Sequence, residues 1–282
     1  MSEATGSPGQ PGQEHVEQDL HGSRFDRVDL SDSTFRAVDL RGSAFVQVHL
    51  TDATFRFTEL RRVVMRGVEL QDVDITGELL NVTVNGVDVV PLVEAELDRR
   101  DPDRPRMRPT DPDGFREAWD AVERLWAGTV ERARTLPPQQ LHASVDGEWS
   151  FVETLRHLAF ATDAWVGRGV LGDPAPWHPL DLPWDEMPPT PGVPRDRQAR
   201  PSLDEVLELR HERMATVREL VDGIDEAELD RKTTPVDAPG WPPPGRSFAV
   251  RDCLLVVLNE EYHHRLFAER DLTALTGHPD AS

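Results

Sequence analysis

The sequence predicts two domains in tandem: a short coiled solenoid over residues 18–90 and an all-α four-helix bundle over residues 113–275. Two patterns predict this, and the composition bounds it. Large apolar residues recur every five positions from Leu20 to Leu80, a period that neither a helix nor a flat strand can place on one face. Beyond Pro91 that grammar gives way to four stretches of helical periodicity. The 282 residues, 38% of them hydrophobic, suffice for one large domain or two ordinary ones. The net charge of −21, from 52 acidic and 31 basic residues, argues against nucleic acid as a direct ligand. No apolar stretch approaches the length of a membrane span. The single cysteine, Cys253, excludes an internal disulfide framework, and the expected location is cytoplasmic.

Residues 1–17 are polar and Gly/Pro-rich and read as a disordered tail. The periodic series then runs Leu20, Phe25, Leu30, Phe35, Leu40, Phe45, Leu50, Phe55, Leu60, Met65, Leu70, Ile75 and Leu80. A small or β-branched residue, such as Ser23, Val28 or Ser33, stands two positions before most of the next members. All thirteen share one interior only if the chain turns a corner every five residues. Val28-Asp29-Leu30, Val38-Asp39-Leu40 and Ser43-Ala44-Phe45 carry the resemblance to the pentapeptide-repeat family. That resemblance implies a right-handed quadrilateral β-helix with about three coils at the ~4.8 Å strand spacing. Asn85 interrupts the series.

Residues 91–112, charged and Pro-rich, read as a linker. The first bundle helix is expected over about 113–136, with Phe115, Trp119, Val122, Leu125, Trp126 and Val130 on one face. Ser150 and Glu153 form a capping box that starts the second helix, which is expected to end near Leu171. Ser202 and Glu205 start the third, which stops at Gly223. The fourth is expected over about 247–272. Two long connections remain, 172–201 with nine prolines and about 230–246, and loops of this length are often functional.

Glu260 and His264 lie one turn apart on the inward face of the fourth helix, in line with Val250, Cys253 and Val257. Their heads meet, and a histidine from a facing helix completes a three-ligand set with an open position, the form of a catalytic metal site. His157 in the second helix is the candidate. The bland alternative makes His264 a hydrogen-bonded core histidine and has His263 or Arg156 neutralise Glu260. Glu153 reads as a cap. Trp177, His178 and Trp184 either line a substrate pocket or merely cover the bundle.

Trp149-Ser150 with Thr154-Leu155-Arg156-His157-Leu158, and Asn259-Glu260-Glu261-Tyr262-His263-His264-Arg265 with Arg270-Asp271-Leu272, resemble the DinB-like bundles. These include mycothiol-dependent maleylpyruvate isomerases and the bacillithiol and mycothiol S-transferases. The resemblance implies His157, Glu260 and His264 as metal ligands; Glu260, where many relatives have histidine, points to the mycothiol-dependent isomerase branch. It implies a divalent-metal-dependent transferase or isomerase acting on a low-molecular-weight thiol and an electrophilic substrate. Zn²⁺ is the expected metal because soft sulfur suits it, with Fe or Ni as alternatives. The competing expectation is a non-catalytic scaffold whose β-helix docks a protein partner or a second copy.

Overall fold

The computed structural model describes residues 14–56 and 58–277. Of the expected tail, residues 1–13 lie outside the described residues. The chain divides into two compact units, 1–74 and 75–282.

In the first unit the five-residue period is written into the backbone. Every fifth described residue from Glu17 to Asp72 (Gly22, Arg27, Asp32 and so on) has a left-handed φ of between 50° and 74°. The Leu corners are closed turns: the amides of Ser23, Ser33, Ser43 and Ala53 donate to the carbonyls of Leu20, Leu30, Leu40 and Leu50 at 3.0–3.2 Å. The Asp before each of the first three leucines stiffens its turn. Asp19, Asp29 and Asp39 accept the amides of His21, Ser31 and Arg41 at 2.9–3.0 Å. The chain thus turns every five residues, as the spacing predicts. The expected β-helix is a different matter: among the described residues of this unit no strand ladder joins successive coils. Its large side chains are exposed, Phe25, Phe35 and Phe55 each at 63%. The corner is encoded within five residues, whereas a closed interior needs contacts about 20 residues apart in sequence.

The second unit opens with a small hairpin, β1 (Thr83–Val84) against β2 (Val87–Asp88). Asn85 and Gly86 turn it with φ of 51° and 81°, the pair of positive values a two-residue hairpin turn requires. This is why the repeat series stops there. Then comes α1 (Val90–Arg100), inside the stretch read as a linker. Pro91 supplies a preset φ in its first turn. This helix buries no residue, so no hydrophobic period announces it. Ion pairs hold it instead, Arg104 to Glu94 and Asp98 at 2.8 and 2.5 Å and Arg108 to Asp98 at 2.6 Å. Met107 just beyond is buried in the core, and Asp101 accepts the Tyr262 hydroxyl at 2.6 Å.

The bundle proper consists of α2 (Pro112–Ala133), α3 (Phe151–Thr162), α4 (Leu203–Gly223) and α6 (Val250–Thr276), with a short α5 (Glu226–Asp230) between the last two. Helix α2 starts at the Asp111 cap, whose carboxylate accepts the Gly114 amide at 2.9 Å, and buries Phe115, Trp119, Val122 and Trp126. Both predicted capping boxes form, at Ser150/Glu153 and Ser202/Glu205. Helix α6 runs one turn past its expected end and stops at Gly277 in the left-handed conformation. Helices α2 and α3 each pack against both α4 and α6, so the two pairs form a ring with α2 and α3 diagonal. No described helix is long and apolar enough to cross a membrane.

The second predicted helix changes pitch. After Thr162 the chain continues as a π-helix over Asp163–Val170. The wider turn brings Arg168 into the protein, where its guanidinium donates to four carbonyls, those of Pro174 in one long loop and of Val236, Ala238 and Pro242 in the other. At Gly167 a Cβ would stand 2.9 Å from the Cβ of Pro176, so only glycine lets that loop approach.

One buried charge pair spans the bundle. Arg210 of α4 donates through both Nη atoms to the two carboxylate oxygens of Glu261 of α6 at 2.7 Å, and its guanidinium lies 5.5 Å over the ring of Trp126 in α2. The two side chains are 3% and 1% exposed, so removing one partner strands the other charge away from water. Arg210→Met is expected to cost about 3–5 kcal/mol in urea unfolding, while Arg210→Met with Glu261→Leu recovers most of that loss.

Candidate metal centre

The capping box fixes where α3 begins: the Ser150 amide and hydroxyl both donate to Glu153, and Ser150 Oγ accepts the Glu153 amide. Glu153 is therefore a cap. His157, one turn further on, is buried. Its Nδ1 lies 2.9 Å from the Leu182 carbonyl, and since a carbonyl only accepts, Nδ1 carries the hydrogen. Nε2 faces Glu260 Oε2 at 3.4 Å. The same oxygen lies 3.2 Å from His264 Nδ1 on the other side, and His264 Nδ1 also donates to the Glu260 carbonyl at 3.0 Å. One ligand atom from each of the three residues falls within 4.8 Å of the other two. A neutral imidazole lone pair set against a carboxylate oxygen repels it unless a cation or a proton stands between them. The donor set thus fits a divalent ion.

Aromatic rings enclose the cluster. The Trp149 indole lies 4.5 Å from the His157 ring and 6.1 Å from that of His264, while Phe160 and Phe267 close the sides at 6.1 and 5.9 Å. Trp149 is held at the edge of the first long connection, 172–201, with Asp185 accepting from its Nε1 at 3.4 Å and Arg197 stacked 6.0 Å over its ring. Glu260 keeps 30% of its side chain exposed, so the cluster is not sealed from solvent.

The charges follow this packing. Burial, with His157 nearby, pushes His264 down to about 4, so its imidazole is neutral at pH 7. Burial alone would raise Glu260, but its contacts with His157 and His264 outweigh it and hold the carboxyl below its ordinary range. With His157 neutral as well, two imidazoles and one carboxylate would form the ligand state a metal requires. Cys253 is buried, and burial pushes its thiol up to about 11, so this sulfur stays protonated.

The residues offered as rivals stand elsewhere. Arg156 does not pair with Glu260; it donates to the carbonyls of Leu180 and Asp196 at 2.7 and 2.5 Å. His263 is exposed, edge-on to Tyr262 at 5.4 Å. Trp177 stacks on Phe160 and Trp184 meets Trp241 edge-on, and these rings form a second small apolar cluster with Met187 and Ala164. His178 accepts the Leu180 amide through Nδ1. These three residues cover the bundle. Two features escaped the sequence reading. The Leu182 carbonyl has no side-chain signal, and the Trp149 lid stood in a quoted motif without a role.

The helical unit with this cluster is matched by the family model of the DinB superfamily over residues 121–268. That is more than half of the chain, and the chain belongs to this superfamily. Ahead of it, eight copies of the pentapeptide repeat match residues 19–52. No curated protein and no solved structure matches the chain significantly.

Because His264 titrates lower in the folded chain than in the unfolded one, the unfolded state takes up its proton first as pH falls. The contribution of neutral His264 is therefore complete above pH ~6.5 and declines towards pH 4, by no more than about 3 kcal/mol. Glu260 has the same sign, but its window lies below pH ~4.5. In chelator-treated protein, the difference in unfolding free energy between wild type and His264→Gln is expected to shrink between pH 7 and 4.5.

Proposed function

We propose that His157, Glu260 and His264 hold one divalent cation and that the helical unit is a metal-dependent thiol transferase or isomerase, taking a mycothiol-like thiol and an electrophilic substrate. The observation that carries this reading is the His157 geometry: a carbonyl occupies Nδ1, and Nε2 is left facing Glu260 Oε2 at 3.4 Å. A divalent ion in such a site lowers the pKa of a thiol or water placed on it, so that a nucleophile exists at neutral pH.

The remaining work falls to the chain. Glu260 supplies one negative charge and the imidazoles none, leaving a local charge of about +1 to attract an anionic thiolate. Trp149, Phe160 and Phe267 keep bulk water from the imidazole faces, which strengthens every electrostatic contact inside. Since Cys253 stays protonated, the reactive sulfur comes from a cosubstrate. Zn²⁺ is preferred for that sulfur, and Fe or Ni are the alternatives that two histidines and a carboxylate also accept.

For the repeats we propose a quadrilateral β-helix that closes when its coils stack, serving as a rigid module for docking a protein partner or a second copy in the cytoplasm. The exposed phenylalanine corners support this, because each coil's apolar side chains are covered only by a neighbour.

Purified protein is expected to contain one divalent ion per chain by elemental analysis. His157→Ala and His264→Ala are each expected to weaken its binding by more than the roughly 10–100-fold that loss of an outer partner costs. Unchanged metal content in both variants would remove the site. Thiol transfer to a haloaromatic or epoxide probe, with mycothiol offered beside bacillithiol, is expected to vanish with the metal and return when it is restored. A shortened chain beginning at Ile75 is expected to keep metal and activity, whereas one beginning at Asp111 loses the Asp101 partner of Tyr262 and the buried Met107. Light scattering of the full and the Ile75 chains tests the proposed pairing through the repeats.

A further inference from the structure

The segment 178–182 is strapped along α3. Arg156 Nε donates to the Leu180 carbonyl at 2.7 Å, the Leu182 amide donates to the Arg156 carbonyl at 3.3 Å, and His157 Nδ1 donates to the Leu182 carbonyl at 2.9 Å. In the middle of this strap is Asp181, with no exposed surface. Its Oδ2 accepts the His178 amide at 2.9 Å, and its Oδ1 has no donor within reach. Opposite stands Asp163, at the first residue of the π-helix and itself buried, close enough for its charge to act on the Asp181 carboxyl. Of the two carboxylates, Arg213 of α4 pairs with Asp163, through Nε to Oδ1 at 2.7 Å and Nη2 to Oδ2 at 3.0 Å, and its Nη1 pairs with Glu212 at 3.3 Å.

Two buried carboxylates this close, with one guanidinium beside them, are not both ionised without a large cost, and a proton on one of them would let the pair hydrogen-bond. Asp163 has the guanidinium and stays ionised. Asp181 has a backbone amide and an orphan oxygen, and a proton on that oxygen turns the orphan into the donor the pair lacks.

We propose that Asp181 is a positioning residue for the metal site: as a neutral carboxylic acid it clasps the loop to Asp163 and so holds the Leu182 carbonyl that orients His157. This rests on reading His157 as a ligand. The charged and titratable groups around Asp181 are Asp163 and Arg156 from α3 and its π-helical continuation, Arg213 from α4, and His178 from its own segment. Burial and then the charge of Asp163 push Asp181 up to about 9. The sign is that of a raised acid: the clasp is intact below that value and is lost as pH rises through it, when a second negative charge appears beside Asp163.

The test uses full-length wild type, Asp181→Asn and Asp181→Ala. Zn²⁺ affinity is measured by chelator competition from pH 7 to 10, and amide hydrogen exchange at Leu182 in metal-free protein. Asn keeps the shape, donates its NH₂ to Asp163 without ionising and still accepts the His178 amide. It is expected to bind Zn²⁺ within about twofold of wild type at pH 7 and to protect Leu182 equally, whereas Ala loses roughly 10–100-fold in affinity and exposes the Leu182 amide. Above pH ~9 wild type is expected to fall below Asp181→Asn at the same pH. Asp181→Ala binding like wild type, Asn as weak as Ala, or parallel pH profiles for wild type and Asn would each overturn the proposal. If wild type itself fails to bind Zn²⁺, the metal reading falls, and so does the positioning role. Exchange at Leu182 then decides whether the clasp exists.

Discussion

A hydrogen bond from one side chain to one loop carbonyl sets the chemistry available in this protein. The Leu182 carbonyl takes the hydrogen of His157 Nδ1, and from that the rest follows. The other ring nitrogen is turned towards Glu260, and Glu260 in turn stands between two imidazoles. Rotating the His157 ring by half a turn would point the carbonyl-bonded nitrogen at Glu260 instead. A proline-rich loop with no secondary structure of its own thereby acts as the outer support of a site built on helices. This fits the general need for second partners that fix tautomer and ring direction around a metal.

Buried charge is the second theme. The bundle encloses an Arg210–Glu261 pair, an Asp163–Arg213 pair, the fully buried Asp181 and an arginine, Arg168, solvated wholly by backbone carbonyls. Each satisfied group is directional, in contrast to the apolar contacts of Trp119, Leu155 or Leu254, which tolerate rotation and sliding. Such pairs add little net stability over well-packed hydrocarbon. They penalise any register in which a partner is missing, and so favour one arrangement of α3, α4 and α6.

Much of this was legible in the chain. The capping serines, the four amphipathic faces and the five-residue period are local patterns, and each reappears as a cap, a buried stripe or a left-handed corner. The Glu260/His264 couple was visible because both lie on one helix, and His157 was reachable through the resemblance of its motif. Helix α1 was hidden because ion pairs, which have no hydrophobic period, hold it. The π-helix after Thr162 was hidden because a change of pitch leaves the residue types unaltered. The Leu182 carbonyl and the Asp163–Asp181 contact join positions that only folding brings together. The period read from the sequence gives the corners, whereas the closed β-helix came with the family resemblance, and period does not specify what stacks on those corners.

Arg168 carries a mechanical consequence. Its guanidinium is shared between the loop that follows the π-helix and the loop that precedes α6. Neither loop can lift from the bundle without breaking the anchor of the other. Two segments more than sixty positions apart in sequence, at Pro174 and at Val236, Ala238 and Pro242, are thereby pinned to one planar side chain.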